Sequence, residues 1–338
     1  MSWTAYLIVL ILLLALELVY IRIACRLHIV DEPNERSSHS LITYRGGGVI
    51  FTLSMVAWVV MMLLQGQGIT MYLPFLCGLL LIAGVNLWDD ASYAPGLVRF
   101  MAQVTMVVLM LWSLGVMRWE MWWFVLLALI VCVGAANVFN FMDGINGITV
   151  GYALAVLIPL LLLDARWMRE DGMGFIDISY LVVAMIGVLV FGFFNFWPKD
   201  RAMCFPGDVG SIGIAFILLF AIGRLIVQTG DVTYLILLLV YGVDGCMTIL
   251  HRLSLREKLV QAHRKHAYQM MVNELQIGHL KVALLYMVLQ LAVSLGFIFL
   301  CPNTLLAHWL YLIGAAVVLC IAYVLFVRWF MCRRNEFN

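Results

Sequence analysis

The stretch WWFVLLALIVCVGAANVFNFMDGING, residues 122–147, runs from Trp122 to Ala136 without a charged or amide side chain and then changes character. Asn137, Asn140 and Asp143 follow at intervals of three, just ahead of Gly144 and Gly147. A helix that crosses a bilayer needs roughly 20 predominantly apolar residues, a length reached when the run is carried on to Met142 past Asn137 and Asn140. The three-residue spacing puts the two amides and the carboxylate near one helical face, a stripe suited to coordination or hydrogen bonding. Simple capping of the helix end by Asn and Asp, with glycines turning the chain, is the competing reading.

That pattern of a long apolar run closed by polar chemistry recurs along the chain. Apolar windows centre near Leu13, Val56, Leu80, Met110, Leu129, Leu157, Met185, Ile217, Leu237, Leu289 and Val317. With 65% hydrophobic residues, 12% charged and a mean hydropathy of +1.04, the 338 residues fall in the polytopic membrane class rather than among water-soluble domains. Every backbone amide in lipid must be paired within its span, and the period-two alternation of a barrel is missing. The expected architecture is an all-α polytopic transmembrane helix bundle of about 11 spans, a single integral membrane domain over 1–338. The first apolar run is too long for a signal peptide and lacks a small-residue cleavage site, so it reads as a retained span.

Basic residues near span ends orient such a bundle. With the N-terminus outside and the C-terminus cytoplasmic, sixteen of the twenty Lys and Arg fall on the cytoplasmic side, and only Arg118, Arg166, Arg169 and Arg224 lie opposite. The net charge of +1 excludes an argument for nucleic acid, and the eight scattered cysteines read as small apolar packers. Trp119, Trp122 and Trp123 suit an aromatic belt at the outer interface. Chemistry is then left to five loops on the inner face, near 25–48, 89–99, 137–147, 198–211 and 251–279.

The first of these carries Asp31, Glu32, Asn34, Arg36 and His39, then Arg45 and Gly46-Gly47-Gly48. Consecutive glycines let backbone amides approach an anion, so this loop is a candidate phosphate cradle with Arg36, His39 and Arg45 around it. Alone it would read as a flexible basic loop. Asp89-Asp90 closes an apolar run, where the helix dipole and mutual repulsion both disfavour carboxylates, and a divalent cation held together with a diphosphate would compensate them. A hydrated helix end is the competing reading. Asp208 lies in Phe205-Pro206-Gly207-Asp208-Val209-Gly210-Ser211 at the start of a span, placed to cap that helix or to hold metal. The longest basic loop carries Arg252, Arg256, Lys258, His263, Arg264, Lys265 and His266, either a surface facing lipid headgroups or a grip on an anionic ligand. Within the spans, Asp244 is costly enough to need a partner, here expected to be an arginine, and Glu17 has no evident one.

Six motifs then stand in one order: Asp31-x-Pro-Asn-x-Arg36-Ser-x-His39 with the three glycines, Asp89-Asp90, Asn137-x-x-Asn140-x-x-Asp143-Gly144, Gly207-Asp208-x-Gly210-Ser211, Asp244 ahead of Arg252, and His263-x-x-His266. Over residues 30 to 270 the chain resembles the polyprenyl-phosphate N-acetylhexosamine-1-phosphate transferases, glycosyltransferase family 4, and within them the bacterial branch that initiates O-antigen synthesis. The resemblance implies a bacterial inner-membrane enzyme, its site facing the cytoplasm, that transfers an N-acetylated sugar 1-phosphate from a UDP-sugar to undecaprenyl phosphate and releases UMP. It implies Mg²⁺, with Mn²⁺ as a substitute. Asp89 and Asp90 become the catalytic pair, with Asp208, Asp143 and Asp89 on the metal. Arg36, His39, Arg45, Asn137, Asn140, Asp143, Arg252, His263, Arg264 and His266 become substrate contacts. Membrane lipid is the surrounding partner, and homo-oligomers are left open.

Two departures bear on detail. Asn146 stands where the family commonly has a second Asp, and His263-Arg-Lys-His266 replaces the tighter histidine cluster of relatives that use N-acetylglucosamine, which opens the donor to N-acetylfucosamine and N-acetylquinovosamine. The competing classes are a secondary transporter using Asp244, Glu17 and Arg224, and an inactive scaffold for polysaccharide assembly.

Overall fold

A computed structural model describes residues 2–33, 38–170, 172–257 and 264–336, with side chains to residue 333. Helices α1 (Trp3–Leu27), α2 (Val49–Leu64), α3 (Leu73–Ala91), α4 (Gly96–Ser113), α5 (Trp122–Met142), α6 (Ile148–Glu170), α7 (Ile178–Asn195), α8 (Gly207–Thr229), α9 (Leu239–Ser254), the short turn α10 (Ala267–Gln269), α11 (His279–Leu300) and α12 (Leu305–Glu336) follow in order. Among the described residues ten segments are long and apolar enough to cross a membrane, and α2 adds a shorter apolar helix of 16 residues. Each of the eleven windows centred in the sequence falls inside one of these segments. The protein is an all-α, multi-pass membrane bundle.

The helix ends follow local chemistry. Ser2 caps α1 and Asp177 caps α7 through side-chain oxygens on backbone amides, Pro74 occupies the first turn of α3, and α8 stops at Gly230 with a left-handed φ of 69°. Along the chain α8 is buried almost throughout, and α2, α3, α5 and α6 pack against it, while α1, α5 and α12 present long apolar faces outward. Bundles in lipid gain little from apolar burial as such and depend on close helix contact through small residues. Gly48, at the start of α2, meets Gly210 of α8 backbone to backbone: a Cβ on Gly48 would lie 2.3 Å from the Gly210 Cα.

A short two-stranded ribbon completes the motif-bearing face. Strand β1 (Val30–Asp31) pairs antiparallel with β2 (Thr43–Tyr44), and Tyr44 then bonds onward to the segment ahead of α8. Phe205 N–H donates to Tyr44 O (2.7 Å), Gly47 N–H to Phe205 O (3.0 Å) and Gly48 N–H to Pro206 O (3.0 Å). The amides of Gly47 and Gly48 are therefore spent on the neighbouring loop, which corrects the expectation of a glycine cradle for phosphate. The glycines are needed for close packing: a Cβ on Gly47 would strike Cys204 Sγ at 2.6 Å and Glu17 Oε1 at 2.7 Å.

Gly210→Ala would drive a methyl to 2.6 Å from the Gly48 Cα. The expected cost is about 1–3 kcal/mol, the usual penalty of overpacking, read as a lower thermal unfolding midpoint in detergent. Gly230→Ala, at a terminus with open space around it, serves as the control for backbone strain alone.

Candidate active site

The charged centre is built from the C-terminal end of α3, the first turns of α4 and α8, the end of α5 and strand β2. Asp90 faces away from solvent, its side chain fully buried. Its Oδ1 accepts from Arg45 Nε (2.7 Å) and from the Asp208 N–H (3.0 Å), and its Oδ2 from the Val209 N–H (3.2 Å). A carboxylate from the unfavourable end of one helix thus caps the N-terminus of another, where the dipole favours it. Asp208 receives Arg45 Nη2 on Oδ1 (2.7 Å), Asn140 Nδ2 on the same atom (3.0 Å) and Arg99 Nη1 on Oδ2 (3.3 Å). Asp89 holds the Ala94 N–H on Oδ1 (2.8 Å) and Arg99 Nη1 on Oδ2 (2.5 Å).

Desolvation would lower the Arg45 guanidinium, but Asp90 and Asp208 outweigh it and raise its pKa above the ordinary value. Arg45 is anchored as a residue, too: its N–H donates to Ile29 O (3.2 Å) and its carbonyl accepts from Tyr20 OH (2.8 Å).

Beside this centre opens a cavity of about 240 Å³ lined by Asp31, Ser38, His39, Arg45, Asn140, Asp143, Asn146, Asn195, Phe205, Asp208, Gln269 and His279, among others. Asp143 accepts from Thr149 Oγ1 (2.6 Å) and faces this space; desolvation raises its carboxyl to about 7. His39 lies edge-on to the Phe205 ring at 4.8 Å. The cavity's far wall is a set of committed amides. Asn146 Nδ2 donates to the carbonyls of Trp197 and Pro198 (2.9 Å each), Asn195 accepts from the Gly147 N–H (2.8 Å), and His279 links the Asn146 N–H (3.3 Å) to Ser38 O (3.2 Å). Asn146, expected to be a weak substitute for a metal-binding Asp, is a donor to two carbonyls, a task a carboxylate cannot perform.

The sequence-derived residues separate into groups. Asp89, Asp90, Asp208, Arg45 and Asn140 are joined by direct contacts, and Asp143 and His39 stand on the adjoining cavity. Asn137 is apart from them: its amide pairs with Gln103 (2.8 Å) and with Val133 O (2.8 Å), one turn back along α5. Arg252 is buried at the end of α9 against Glu257 (3.3 Å), and Arg264 and His266 follow in the next described segment. None of these three is among the described residues lining the cavity. Arg36 and His263 lie outside the described residues. Asp244, for which an arginine partner was expected, instead accepts from Thr248 (3.1 Å), Tyr286 (2.5 Å) and the Ala267 N–H (3.2 Å), with His266 Nδ1 at 3.2 Å. Arg252 is two helical turns away and turned to Glu257.

Four groups were not singled out from sequence: Arg99, Asn195, Gln269 and His279. Arg99 follows Asp89 by ten residues across the tight α3–α4 turn, a spacing that could have marked it. Asn195, Gln269 and His279 carry no pattern, because what unites them is packing between distant loops.

The family description Glycosyl transferase family 4 matches residues 72–226, a span that holds Asp89, Asp90, Arg99, Asn140, Asp143 and Asp208. Just under half of the chain thus matches glycosyltransferase family 4, and the match spans the helices that carry the charged centre. Over 311 residues it is 24% identical to the probable undecaprenyl-phosphate N-acetylglucosaminyl 1-phosphate transferase of Bacillus subtilis, covering 87% of this chain and 82% of that protein. It is 28% identical over 219 residues to the decaprenyl-phosphate N-acetylglucosaminephosphotransferase of Mycobacterium tuberculosis, 58% of this chain and about half (53%) of that one. A third relative, the phospho-N-acetylmuramoyl-pentapeptide-transferase of Thermotoga maritima, is 28% identical over 215 residues, 60% of this chain and 66% of its own length. The similar proteins thus include ones named for different sugars and different polyprenyl phosphates.

Two outcomes follow from the geometry. Asp90→Ala strands a buried guanidinium face and two helix-end amides, so it is expected to cost about 3 kcal/mol of stability. Asp143→Ala gives up one described hydrogen bond and should cost about 1 kcal/mol; comparative thermal unfolding in detergent reads the difference. Asp143 should also be protonated below about pH 7 and ionised above it. Infrared difference spectra between wild type and Asp143→Asn are then expected to contain a carboxylic-acid C=O band that disappears as pH rises through about 7, and a band titrating near pH 4 would overturn the assignment.

Proposed function

We propose that the protein transfers an N-acetylated sugar 1-phosphate from a UDP-sugar to undecaprenyl phosphate, giving the undecaprenyl-diphosphate sugar and UMP at the cytoplasmic face of a bacterial inner membrane. The observation that carries this reading is the meeting of Asp89, Asp90 and Asp208 with Arg45 and Arg99 at the motif-bearing ends of the spans, beside a polar cavity. The match of residues 72–226 to glycosyltransferase family 4 and the activities for which the similar proteins are named support it. The role in starting O-antigen or a related surface polysaccharide rests on the resemblance of the loop motifs.

The reaction brings two anions together. A phosphate oxygen of the lipid attacks the sugar-bearing phosphorus, the bond from that phosphorus to the bridging oxygen breaks, and the bridging oxygen leaves on UMP. Little covalent work falls to the protein, so catalysis rests on alignment and charge neutralisation. Arg45 is fixed for neutralisation at the cavity edge. Asp90 is fully engaged by Arg45 and the α8 amides, which suits an organiser of the centre better than a nucleophile, and a single displacement is favoured over a phosphoryl-enzyme.

Among the described residues no three His, Cys, Asp or Glu side chains close on a common point. The donor set nonetheless fits Mg²⁺, which commonly takes one or two carboxylates together with phosphate oxygens and water. Asp89 and Asp208 would hold it, with Asp143 across the cavity. Bound there, the cation supplies Lewis-acid neutralisation of the diphosphate. His39, on the cavity wall, is placed for the nucleotide or the acetamido sugar.

Purified protein, undecaprenyl phosphate, Mg²⁺ and a panel of UDP-N-acetylhexosamines, including N-acetylfucosamine and N-acetylquinovosamine donors, should release UMP in step with lipid-diphosphate sugar. EDTA should stop it, and Asp208→Ala or Asp89→Ala should slow it by about a hundredfold or more. Folded protein silent across the panel, or alanine variants at full rate, would overturn the proposal.

A further inference from the structure

We propose that Arg99 holds the place of the divalent cation in the metal-free protein and is displaced onto the substrate's phosphates when the cation binds. The inference rests on the transferase reading above and deepens it. A single nitrogen, Arg99 Nη1, stands between two carboxylates from different helices, 2.5 Å from Asp89 Oδ2 and 3.3 Å from Asp208 Oδ2. No other donor is described on those two oxygens, and the Asp89 and Asp208 side chains also contact each other directly. The other oxygen of each carboxylate is held independently: Asp89 Oδ1 by the Ala94 N–H, and Asp208 Oδ1 by Arg45 and Asn140. Removing Arg99 from this point therefore frees one oxygen on each acid while leaving both carboxylates oriented.

Arg45 cannot play this part. It spends two nitrogens on two acids, and its backbone is tied to Ile29 and Tyr20. Arg99 uses one nitrogen for both contacts, and its side chain is 35% exposed on the first turn of α4. A cation held by Asp89 and Asp208 would need the same lone pairs and would carry the same sign of charge as Arg99, so the two would compete for the position. Once displaced, the guanidinium remains tethered at the rim, and its planar fork suits phosphate oxygens. Three carboxylates against two guanidinium groups leave the centre short of positive charge without metal. With metal and Arg99 both present, the excess positive charge is what two incoming phosphates require.

The test is Mn²⁺ binding to the full-length protein in detergent without substrate, followed by loss of the free-ion electron paramagnetic resonance signal, beside the turnover assay. Arg99→Ala is expected to bind Mn²⁺ about tenfold more tightly, the scale on which one neighbouring charge shifts a carboxylate equilibrium. Its turnover should fall by about a hundredfold. Arg99→Lys should keep metal affinity near wild type, and Asp208→Asn should weaken it. Arg99→Met replaces the alanine variant if the latter does not purify as folded protein. A purely structural role for Arg99 would not tighten metal binding while slowing turnover. Binding in wild type that is unchanged or weaker in Arg99→Ala overturns this inference alone. Absence of Mn²⁺ binding in both, with UMP released in EDTA, overturns the metal reading along with it.

Discussion

Asp90 stands at the wrong end of its own helix and the right end of another, and the rest of the site depends on that exchange. At the C-terminus of α3 its charge faces the negative pole of the dipole, beside a second carboxylate on Asp89. Delivered to the first turn of α8, it meets the N–H groups of Asp208 and Val209 and the Arg45 guanidinium. The pairing couples α3, α8 and the β-ribbon through one buried side chain. It also fixes the backbone of Asp208, so that the acid proposed as a metal ligand projects from a helix N-terminus held by its neighbour.

Such a junction requires the chain segments to approach more closely than side chains allow. Gly48 and Gly210 supply that approach where α2 crosses α8, and Gly207, at φ +70°, has no room for a Cβ beside Asp90. The amides of Gly47 and Gly48 that seemed suited to phosphate are consumed in tying the first loop to the segment before α8. Under the proposed transfer, anion binding then falls to side chains, Arg45 and Arg99, rather than to a backbone nest. This division makes the site's positive charge adjustable, because a guanidinium can change partners where a backbone amide cannot.

The fold was legible because it is a matter of run length: each apolar window is long enough to decide its own helix, and the polar interruptions mark the ends. The carboxylates were legible for a related reason, since Asp89, Asp90, Asp143 and Asp208 are costly where they stand and so announce themselves. Partnership was not legible. Whether Asn140 reaches Asp208 while Asn137, on the same stripe, turns back to Gln103 depends on a helix–helix contact that spacing along α5 cannot specify. Arg99 counted only as one basic residue among many, because its role arises from where the α3–α4 turn returns it. His279 shows the same limit: it begins an apolar span, yet both ring nitrogens are taken by loops more than a hundred residues away.

The intramembrane polar groups bear on the choice between transfer and transport. An acid that carries a coupling ion must have oxygens open to a pathway. Asp244 has Thr248, Tyr286, His266 and the Ala267 amide around it, and these contacts fasten the chain beyond α9 to the bundle. Arg224 donates to Phe175 O at the opposite end of the molecule from the motifs. Glu17 lies behind Gly47 against Cys204, one oxygen accepting the thiol at 3.4 Å, in the packing that supports the first loop. These groups are distributed as braces for the loops and caps at the two ends of the spans, and they define no continuous midplane route. The chemistry that remains available is gathered at one face, where the exchangeable charge is, and this is where a lipid phosphate held at the membrane surface and a water-soluble nucleotide sugar can meet without either crossing.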